Sequence, residues 1–317
     1  MSSTLTDLPG TLGISAVERE TGLTKDVLRV WERRYGFPTP LRNTYGERVY
    51  PDAQVAKLRL VKRLLDAGMR PAGLLPLDMD ALNALLQERA GPTVERCAEQ
   101  DQALHLIRTH QITALRRELN QAVVRDGLRR FVTHTCAPLA AMVGEAWMRG
   151  EIRIFEEHLF TEQLQSVLRG AIAQAGTSGG APRVLMTTLP GEQHGLGLLM
   201  AEAMFVLEGA ECLSLGLQTP VGDIAAAAMV KRIDVVALSV SSVFPQAQLI
   251  ESLTLLRAAL PSGTGLWCGG GGMSAARRVP EGILRLETLD DIGTAISAWH
   301  QSRRADAACG PEAAPDK

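Results

Sequence analysis

The chain has 317 residues, enough for two or three domains that each have a core of their own. Its 33 basic and 35 acidic residues nearly cancel, so the overall charge gives no indication of nucleic acid, and any basic surface must be local. The five cysteines form no C-x-x-C pair and no apolar run is long enough to cross a membrane, so we expect a soluble, cytoplasmic protein with neither a zinc site nor a disulfide framework.

Positive charge is concentrated near the amino terminus. Residues 14–70 hold twelve Lys or Arg against seven Asp or Glu. In this segment Gly22 is placed to end one short helix and Thr24 to cap a second helix over residues 25–34. Two short helices with a tight turn predict a helix-turn-helix, and the second helix carries basic side chains interleaved with aromatic ones. We therefore expect it to bind a groove of DNA.

A small wing is predicted next. Residues 36–40 exclude a helix, Gly46 marks a hairpin turn, and residues 52–67 form a further helix with an apolar face. A single arginine here would be typical of a solvated surface, and it is the order of the residues that indicates DNA. The candidate DNA-binding residues are Thr24, Lys25, Arg29, Trp31, Arg33, Arg34, Tyr35, Arg42, Arg48 and Tyr50.

This segment resembles the winged helix-turn-helix of the MerR family of bacterial transcription regulators, over about residues 12–70. The matching residues run from Arg29 to Pro38 as R-V-W-E-R-R-Y-G-F-P and continue with Pro40, Arg42, Gly46, Arg48 and Tyr50. The resemblance implies a DNA-binding domain over residues 12–79 and double-stranded operator DNA as its partner.

The middle of the chain, residues 80–177, is predicted to be a four-helix bundle, with breaks at residues 91–92 and 126–127, at Pro138 and at Gly150. A turn at residues 150–154 lets Trp147 end one helix while Glu157 and His158 begin the next, at one end of the bundle. Taken alone, such a tryptophan is more typical of a core, and such a Glu-His pair of a surface cap.

The spacing W-x9-E-H from Trp147 to His158 resembles the signature of the cobalamin-binding bundle in the CarH and LitR group of light-responsive MerR regulators. The resemblance implies that this bundle covers the upper face of the cofactor. Some relatives carry a histidine directly after the tryptophan, where this chain has Met148. A thioether is a weak cobalt ligand, so the upper ligand after illumination stays open between His158 and water.

After a linker at residues 178–182, strands and helices alternate. Five predicted strands indicate a doubly wound, Rossmann-like parallel sheet over residues 181–302, and residues 303–317 are expected to be a disordered tail. Glu192 and His194 follow the first strand, Ser239 and Ser241 the third, and four glycines, residues 269–272, the fourth. All of them therefore lie at the carboxyl edge, where ligands of such sheets bind.

A carboxylate two residues before a histidine can take the proton of one ring nitrogen and leave the other for a metal, although a lone histidine is more often a capped loop residue. The place where a dinucleotide fingerprint would stand holds Glu192-x-His194-x-x-Gly197, which disfavours NAD.

The same residues resemble the E-x-H-x-x-G, S-x-L and G-G pattern of Rossmann-like cobalamin domains, with Ser241 where leucine is usual. The resemblance implies that His194 binds cobalt from below, that Glu192 supports it, and that Ser239, Gly269 and Gly270 line a slot for the cofactor tail. The candidate cofactor-binding residues are Trp147, Glu157, His158, Glu192, His194, Gly197, Ser239, Ser241, Gly269 and Gly270.

Together these features predict a multidomain α and α/β protein: a winged helix-turn-helix, a four-helix bundle and a Rossmann-like sheet. The resemblance implies a transcriptional repressor that binds adenosylcobalamin. Its oligomeric state (dimer or tetramer) and its affinity for DNA would change on cofactor binding and on illumination. The alternatives are a regulator that senses cobalamin or another ligand without light, and a corrinoid enzyme or carrier. An enzyme would need a substrate domain, which the chain has no room for.

Overall fold

The computed structural model describes residues 10–90, 96–176, 179–276 and 278–308. Its contacts divide the chain into two compact units. Within the described residues, the first unit contains 10–90 together with 145–151, and the second contains 96–144 and 152–308. The sequence predicts residues 145–151 as part of the middle bundle, whereas the structure packs this short stretch with the amino-terminal residues.

A helix-turn-helix lies near the start of the first unit. Helix α1 (Ile14–Thr21) ends at Gly22, whose φ of 71° is a left-handed conformation that glycine adopts without strain. Helix α2 (Lys25–Tyr35) begins after Thr24, whose side chain accepts a hydrogen bond from the amide of Val27. Both predicted helix boundaries are confirmed.

The wing is a three-stranded antiparallel sheet in the order β1-β3-β2. Its strands are β1 (Thr11–Gly13), β2 (Leu41–Arg42) and β3 (Arg48–Pro51). The hairpin between β2 and β3 turns through Gly46, as predicted. Helix α3 (Asp52–Asp66) follows and buries its apolar face. The core of this unit includes Val17, Leu28, Trp31, Tyr50, Leu58 and Leu64.

Two further helices follow in the first unit: α4 (Pro71–Leu74) and α5 (Met79–Ala90). Helix α5 packs against α3 and buries Leu82 and Leu86 in the same core. Residue 80 is therefore not the start of the bundle, because apolar spacing identifies a helix without identifying its partner. The break expected at residues 91–92 lies outside the described residues.

The second unit begins with four helices. They are α6 (Ala98–Arg108), α7 (Ile112–Arg130), α8 (Ala137–Arg149) and α9 (Ile154–Ala175), with the π-helical stretch Phe131–Cys136 between α7 and α8. The break predicted at residues 126–127 is a kink at Gly127, whose φ of 74° and ψ of 159° are not helical. Pro138 does not break the helix, since the wider π turn before it gives its ring room. Gly150 ends α8, as predicted.

The rest of the unit is the predicted doubly wound parallel sheet. Its strands are β4 (Arg183–Thr187), β5 (Glu211–Ser214), β6 (Val235–Ser239), β7 (Gly265–Gly269) and β8 (Ile283–Leu286). Its helices are α10 (Leu196–Leu207), α11 (Val221–Val230), α12 (Gln246–Ala259), α13 (Gly271–Ser274) and α14 (Asp291–Ala308). The strand order β5-β4-β6-β7-β8 reverses between β4 and β6, which opens a crevice at their carboxyl ends.

The bundle and the sheet pack together inside this unit. Helices α7 and α9 both contact α10 of the sheet domain. Arg129, just after the kink, forms ion pairs with Glu208 at the end of α10 and with Asp290 before α14, the second at 3.8 Å. These ion pairs link the carboxyl end of α7 to the sheet domain.

The carboxy-terminal segment differs from the expected tail. Helix α14 continues to Ala308, so residues 303–308 are helical rather than disordered, and Arg303 pairs with Asp234 at 3.1 Å. Residues 309–317, including Cys309, lie outside the described residues. No helix in the described part of the chain has both the length and the apolar character needed to cross a membrane.

Candidate functional site

The loop between β4 and α10 holds the candidate ligand His194. Its Nδ1 lies 2.6 Å from Oε1 of Glu192, and its backbone amide donates to the same oxygen at 2.9 Å. The side chain of Glu192 is 1% exposed, whereas that of His194 is 60% exposed. The buried carboxylate therefore fixes one ring nitrogen of an accessible imidazole at the carboxyl edge of the sheet.

Ser241 holds the other oxygen of Glu192. Its amide and its hydroxyl donate to Oε2 at 2.8 and 2.7 Å. Burial by itself would raise the pKa of Glu192, but the hydrogen bonds from His194 and Ser241 outweigh it and lower the pKa to about 2. An ionised carboxylate only accepts hydrogen bonds, so Nδ1 of His194 is the donor in this contact, and in a neutral imidazole the lone pair that a metal needs is then on Nε2.

The sequence did not predict this role of Ser241, which was expected only as a cofactor-binding residue at the carboxyl edge, where leucine is usual. The serine and the carboxylate lie 49 positions apart, on loops that follow different strands. No local signal links them, because only the pairing of β4 with β6 brings the two loops together.

A cavity of about 160 Å³ lies between α10 and the carboxyl ends of β6 and β7. The three residues predicted for the tail slot, Ser239, Gly269 and Gly270, line it together with Gly197. The remaining wall is mostly apolar and includes Met186, Met200, Phe205, Leu286 and Ile292. These residues therefore share one pocket, which is called the slot below.

Two of these glycines leave little room for a side chain. A Cβ at Gly197 would lie 2.9 Å from Oγ of Ser239, at the mouth of the cavity. At Gly270, where φ is 96°, a Cβ would lie 2.4 Å from the carbonyl oxygen of Val240. The first glycine keeps the slot open, and the second lets the end of β7 turn closely against the end of β6.

This arrangement fits cobalamin. Among the described residues, no three His, Cys, Asp or Glu side chains cluster as a chelating group. A metal at His194 would therefore have one protein ligand and would bring the rest of its coordination in its own macrocycle. The apolar slot suits a flat aromatic tail, which would leave few polar groups of the wall unpaired.

The residues predicted for the upper face occupy the expected helix ends. Oε2 of Glu157 lies 2.6 Å from Nδ1 of His158, and Thr161 donates to Oε1 at 2.8 Å, all in the first turns of α9. Trp147 is half-buried in the last turn of α8. Because Trp147 belongs to the first unit and Glu157 and His158 to the second, their meeting around one ligand stays a prediction.

The amino-terminal part of the first unit, residues 10–90, is called the head below. It presents a basic face on α2. Arg29, Arg33 and Arg34 are exposed there, and Lys25 is half-exposed beside Glu18. On the wing, Arg42 donates to the carbonyl of Gly46. Arg48 pairs with Glu32 at 3.0 Å, and Tyr35 lies under the guanidinium of Arg34. Basic side chains of both α2 and the wing therefore lie outside the core of the unit, where they could reach phosphates.

Two predicted DNA contacts are wrong, and one exposed residue was missed. Trp31 and Tyr50 are 6% and 0% exposed and belong to the core of the unit. Leu28 and Trp31 lie three positions apart, so they occupy the buried face of α2 while Arg29 and Arg33 occupy the other. Tyr45 at the tip of the wing is 74% exposed, and an aromatic residue beside a turn glycine was the available signal.

Comparison with known proteins identifies the same two regions. Residues 12–74 match the MerR HTH family of regulatory proteins, and residues 99–169 match the B12 binding domain. The chain is 32% identical over 284 residues to the HTH-type transcriptional repressor CarH of Myxococcus xanthus. The matched residues make up 86% of this chain and 92% of CarH. The chain is 30% identical over 233 residues to the repressor CarA of the same species, covering 72% and 76%. A shorter match, 42% over 43 residues, joins 14% of this chain to 18% of the regulator MlrA of Escherichia coli (strain K12).

The relatives that cover most of the chain are transcriptional repressors and not enzymes. The MerR match covers α1, α2, the wing and α3, and the B12 match covers the bundle. The protein is thus a DNA-binding transcriptional regulator with a cobalamin-binding region, and it belongs to the CarH and CarA family of MerR-type, B12-binding regulators.

Proposed function

We propose that this regulator binds adenosylcobalamin and uses it, together with light, to control its oligomeric state and its affinity for operator DNA, acting as a repressor. The observation that carries the proposal is the imidazole of His194, fixed by a buried carboxylate at the edge of the sheet. The apolar slot beside the start of α10 supports it.

The lower face of the cofactor is assigned to the sheet. Nε2 of His194 would hold the cobalt of the cofactor, because the hydrogen bond to Glu192 engages Nδ1 and leaves the other ring nitrogen for a metal. Ser241 positions Glu192 through two hydrogen bonds and so acts on the ligand indirectly. Gly197, Ser239, Gly269 and Gly270 line the slot for the nucleotide tail.

The upper face is assigned to Trp147, Glu157 and His158. When it is bound, adenosylcobalamin supplies a cobalt–carbon bond that light can break, and this is the chemistry that a light sensor needs. The indole at the end of α8 offers a flat apolar cover, while the Glu157–His158 pair at the start of α9 offers polar groups. These three side chains would exclude water from the upper group while it is in place.

The link to DNA is assembly. A single head offers few phosphate contacts, so it binds weakly and with strong salt dependence. Two or four heads held together gain from effective concentration. The cofactor favours the dimer or tetramer by as much as it binds the assembled form better than the separate chain. Loss of the upper group would reverse this preference and release the operator.

Met148 favours a second candidate function. It stands directly after Trp147, where the resemblance to light-responsive relatives would place a histidine. A thioether is a softer and weaker donor than an imidazole, so the chain has a poorer upper ligand to offer after illumination. Under this alternative the protein senses the presence of cobalamin without light.

Size-exclusion chromatography with adenosylcobalamin, in darkness and after green illumination, tests both functions. We expect an oligomer in darkness that dissociates after illumination; an oligomer that persists in the light would support the cobalamin gauge. His194→Ala should abolish stable loading and assembly, while His105→Ala, a change at an exposed histidine of α6, should leave both unchanged. Equal loading of wild type and His194→Ala would remove the ligand assignment.

A further inference from the structure

The end of helix α8 closes in a Schellman motif. The amide of Gly150 donates to the carbonyl of Trp147 at 3.0 Å, and the amide of Glu151 donates to the carbonyl of Ala146 at 2.9 Å. Gly150 has a φ of 75°, the left-handed conformation that this motif requires. The turn that carries Trp147 is therefore tied directly to the conformation of Gly150.

Arg63 of helix α3 lies against this glycine. A Cβ at Gly150 would be 2.7 Å from Nη1 of Arg63 and 3.4 Å from Cζ and Nη2. Three atoms of the guanidinium thus approach one side of the Gly150 backbone, and a side chain there would have to displace them. Both residues belong to the first unit.

The charge of Arg63 makes this contact informative. Its neighbours on α3 have carboxylate partners, since Arg59 pairs with Glu20 and Lys62 pairs with Asp66. Within the described residues, Arg63 has no such ion pair. Burial, and after it the charge of Arg59, lowers the pKa of Arg63. A helix carboxyl end carries partial negative charge, so a cation that packs beside the end of α8 is favoured there.

The segment that Arg63 contacts connects the two units along the chain. Residues 145–151 belong to the first unit, while residues 137–144 of the same helix belong to the second. A change in the conformation of the last turn of α8 therefore shifts the residues of the first unit that pack against it. Arg63 is the residue of α3 for which such a contact with Gly150 is seen.

We propose that Arg63 couples the DNA-binding head to the cofactor state by capping the carboxyl end of α8 at Gly150. The coupling rests on the proposed function, because it requires that the turn with Trp147 responds to cobalamin. Arg63 is thus a positioning residue: it touches neither the cofactor nor DNA in this assignment. It ties the position of α3, and with it the helix-turn-helix, to the conformation of the α8 end.

The first test compares operator affinity with and without adenosylcobalamin in Arg63→Met, which keeps an apolar side chain of similar length. We expect cobalamin uptake, followed by absorbance, to match wild type, while the ratio of loaded to unloaded affinity falls at least tenfold. Arg59→Met, one helical turn away, is the matched control and should keep the wild-type ratio. If wild type itself shows a ratio of loaded to unloaded affinity near one, both the proposed function and the coupling are overturned. If Arg63→Met keeps the same ratio as wild type, only the coupling is overturned.

The second test does not depend on DNA or on cofactor. Hydrogen exchange of the amides of Gly150 and Glu151 reports the Schellman motif directly. In unloaded protein, Arg63→Met should speed this exchange by about tenfold or more, with no change in α9, whereas Arg59→Met should not. Unchanged exchange in Arg63→Met would show that the guanidinium does not cap the helix, and the inference would fail even if cobalamin binds as proposed.

Discussion

Oγ of Ser239 lies 2.9 Å from the position that a Cβ would take at Gly197, across the mouth of the apolar slot. The two residues lie at the end of β6 and in the first turn of α10, so the width of the slot is set where these elements meet. A methyl group at residue 197 would occupy space inside the cavity, while the serine hydroxyl can rotate away. Ligand space and protein stability can therefore be separated at this position.

Gly197→Ala should weaken cobalamin binding with little effect on folding. We expect at least a tenfold loss of affinity, which is about 1.4 kcal/mol, because the added methyl narrows the slot. The free energy of unfolding should change by less than about 1 kcal/mol, since only a side-chain hydroxyl has to move. Absorbance titration with cobalamin and urea unfolding measure the two effects. Full affinity in this variant would mean that the tail does not occupy the slot.

Gly270→Ala should instead destabilise the sheet domain. Its Cβ would meet the backbone carbonyl of Val240 at 2.4 Å, which cannot rotate away, and the φ of 96° adds strain. We expect a loss on the order of 3 kcal/mol in the free energy of unfolding. Gly170→Ala is the control, because that glycine is exposed within α9 with nothing within 4 Å of its Cβ position. It should be neutral or stabilising by up to about 1 kcal/mol.

Local chemistry allowed much of this fold to be predicted from the sequence. Gly22 and Gly150 end helices because a left-handed residue is needed there, and Thr24 caps α2 with its hydroxyl. The alternation of strands and helices placed His194 and Ser239 at the carboxyl edge, where the structure has them. Each of these features is decided within a few residues along the chain.

Features that depend on distant partners could not be predicted in this way. The bond between Ser241 and Glu192 exists because β4 pairs with β6, and helix α5 joins the head because Leu82 and Leu86 find room in its core. Trp31 is a different case, since its spacing from Leu28 already placed it on the apolar face of α2. The helical spacing predicts that Trp31 is a core residue, whereas the arginines next to it in the sequence suggest a DNA contact, and the spacing is the better guide.

Acid should remove the contribution of Glu192 to stability. Its pKa is lowered from 4.5 to about 2 in the folded chain, so the unfolded chain binds a proton more readily. The stabilisation is therefore fully present above about pH 4.5 and is lost as the pH falls toward about 2. It is on the order of 3 kcal/mol at neutral pH. Urea unfolding of wild type and Glu192→Gln across this range should show a difference that shrinks with acid, and a constant difference would contradict it.

Arg33→Ala tests whether the basic face of α2 contacts phosphates. Arg33 is exposed on the side of α2 opposite the core, so its removal should leave the fold and cobalamin uptake intact. A phosphate contact contributes close to one unit to the dependence of log affinity on log salt. We expect weaker binding to operator and to unrelated DNA alike, with a salt slope shallower by about one.

Arg116→Ala separates this local effect from a general loss of positive charge. Arg116 is exposed on α7 in the second unit, and its removal lowers the net charge by the same amount. If only the total charge mattered, both variants would lose affinity equally. If α2 lies at the DNA, Arg33→Ala should change the slope while Arg116→Ala should not. A loss confined to the operator in Arg33→Ala would instead assign this side chain to a base, because phosphate contacts do not distinguish sequences.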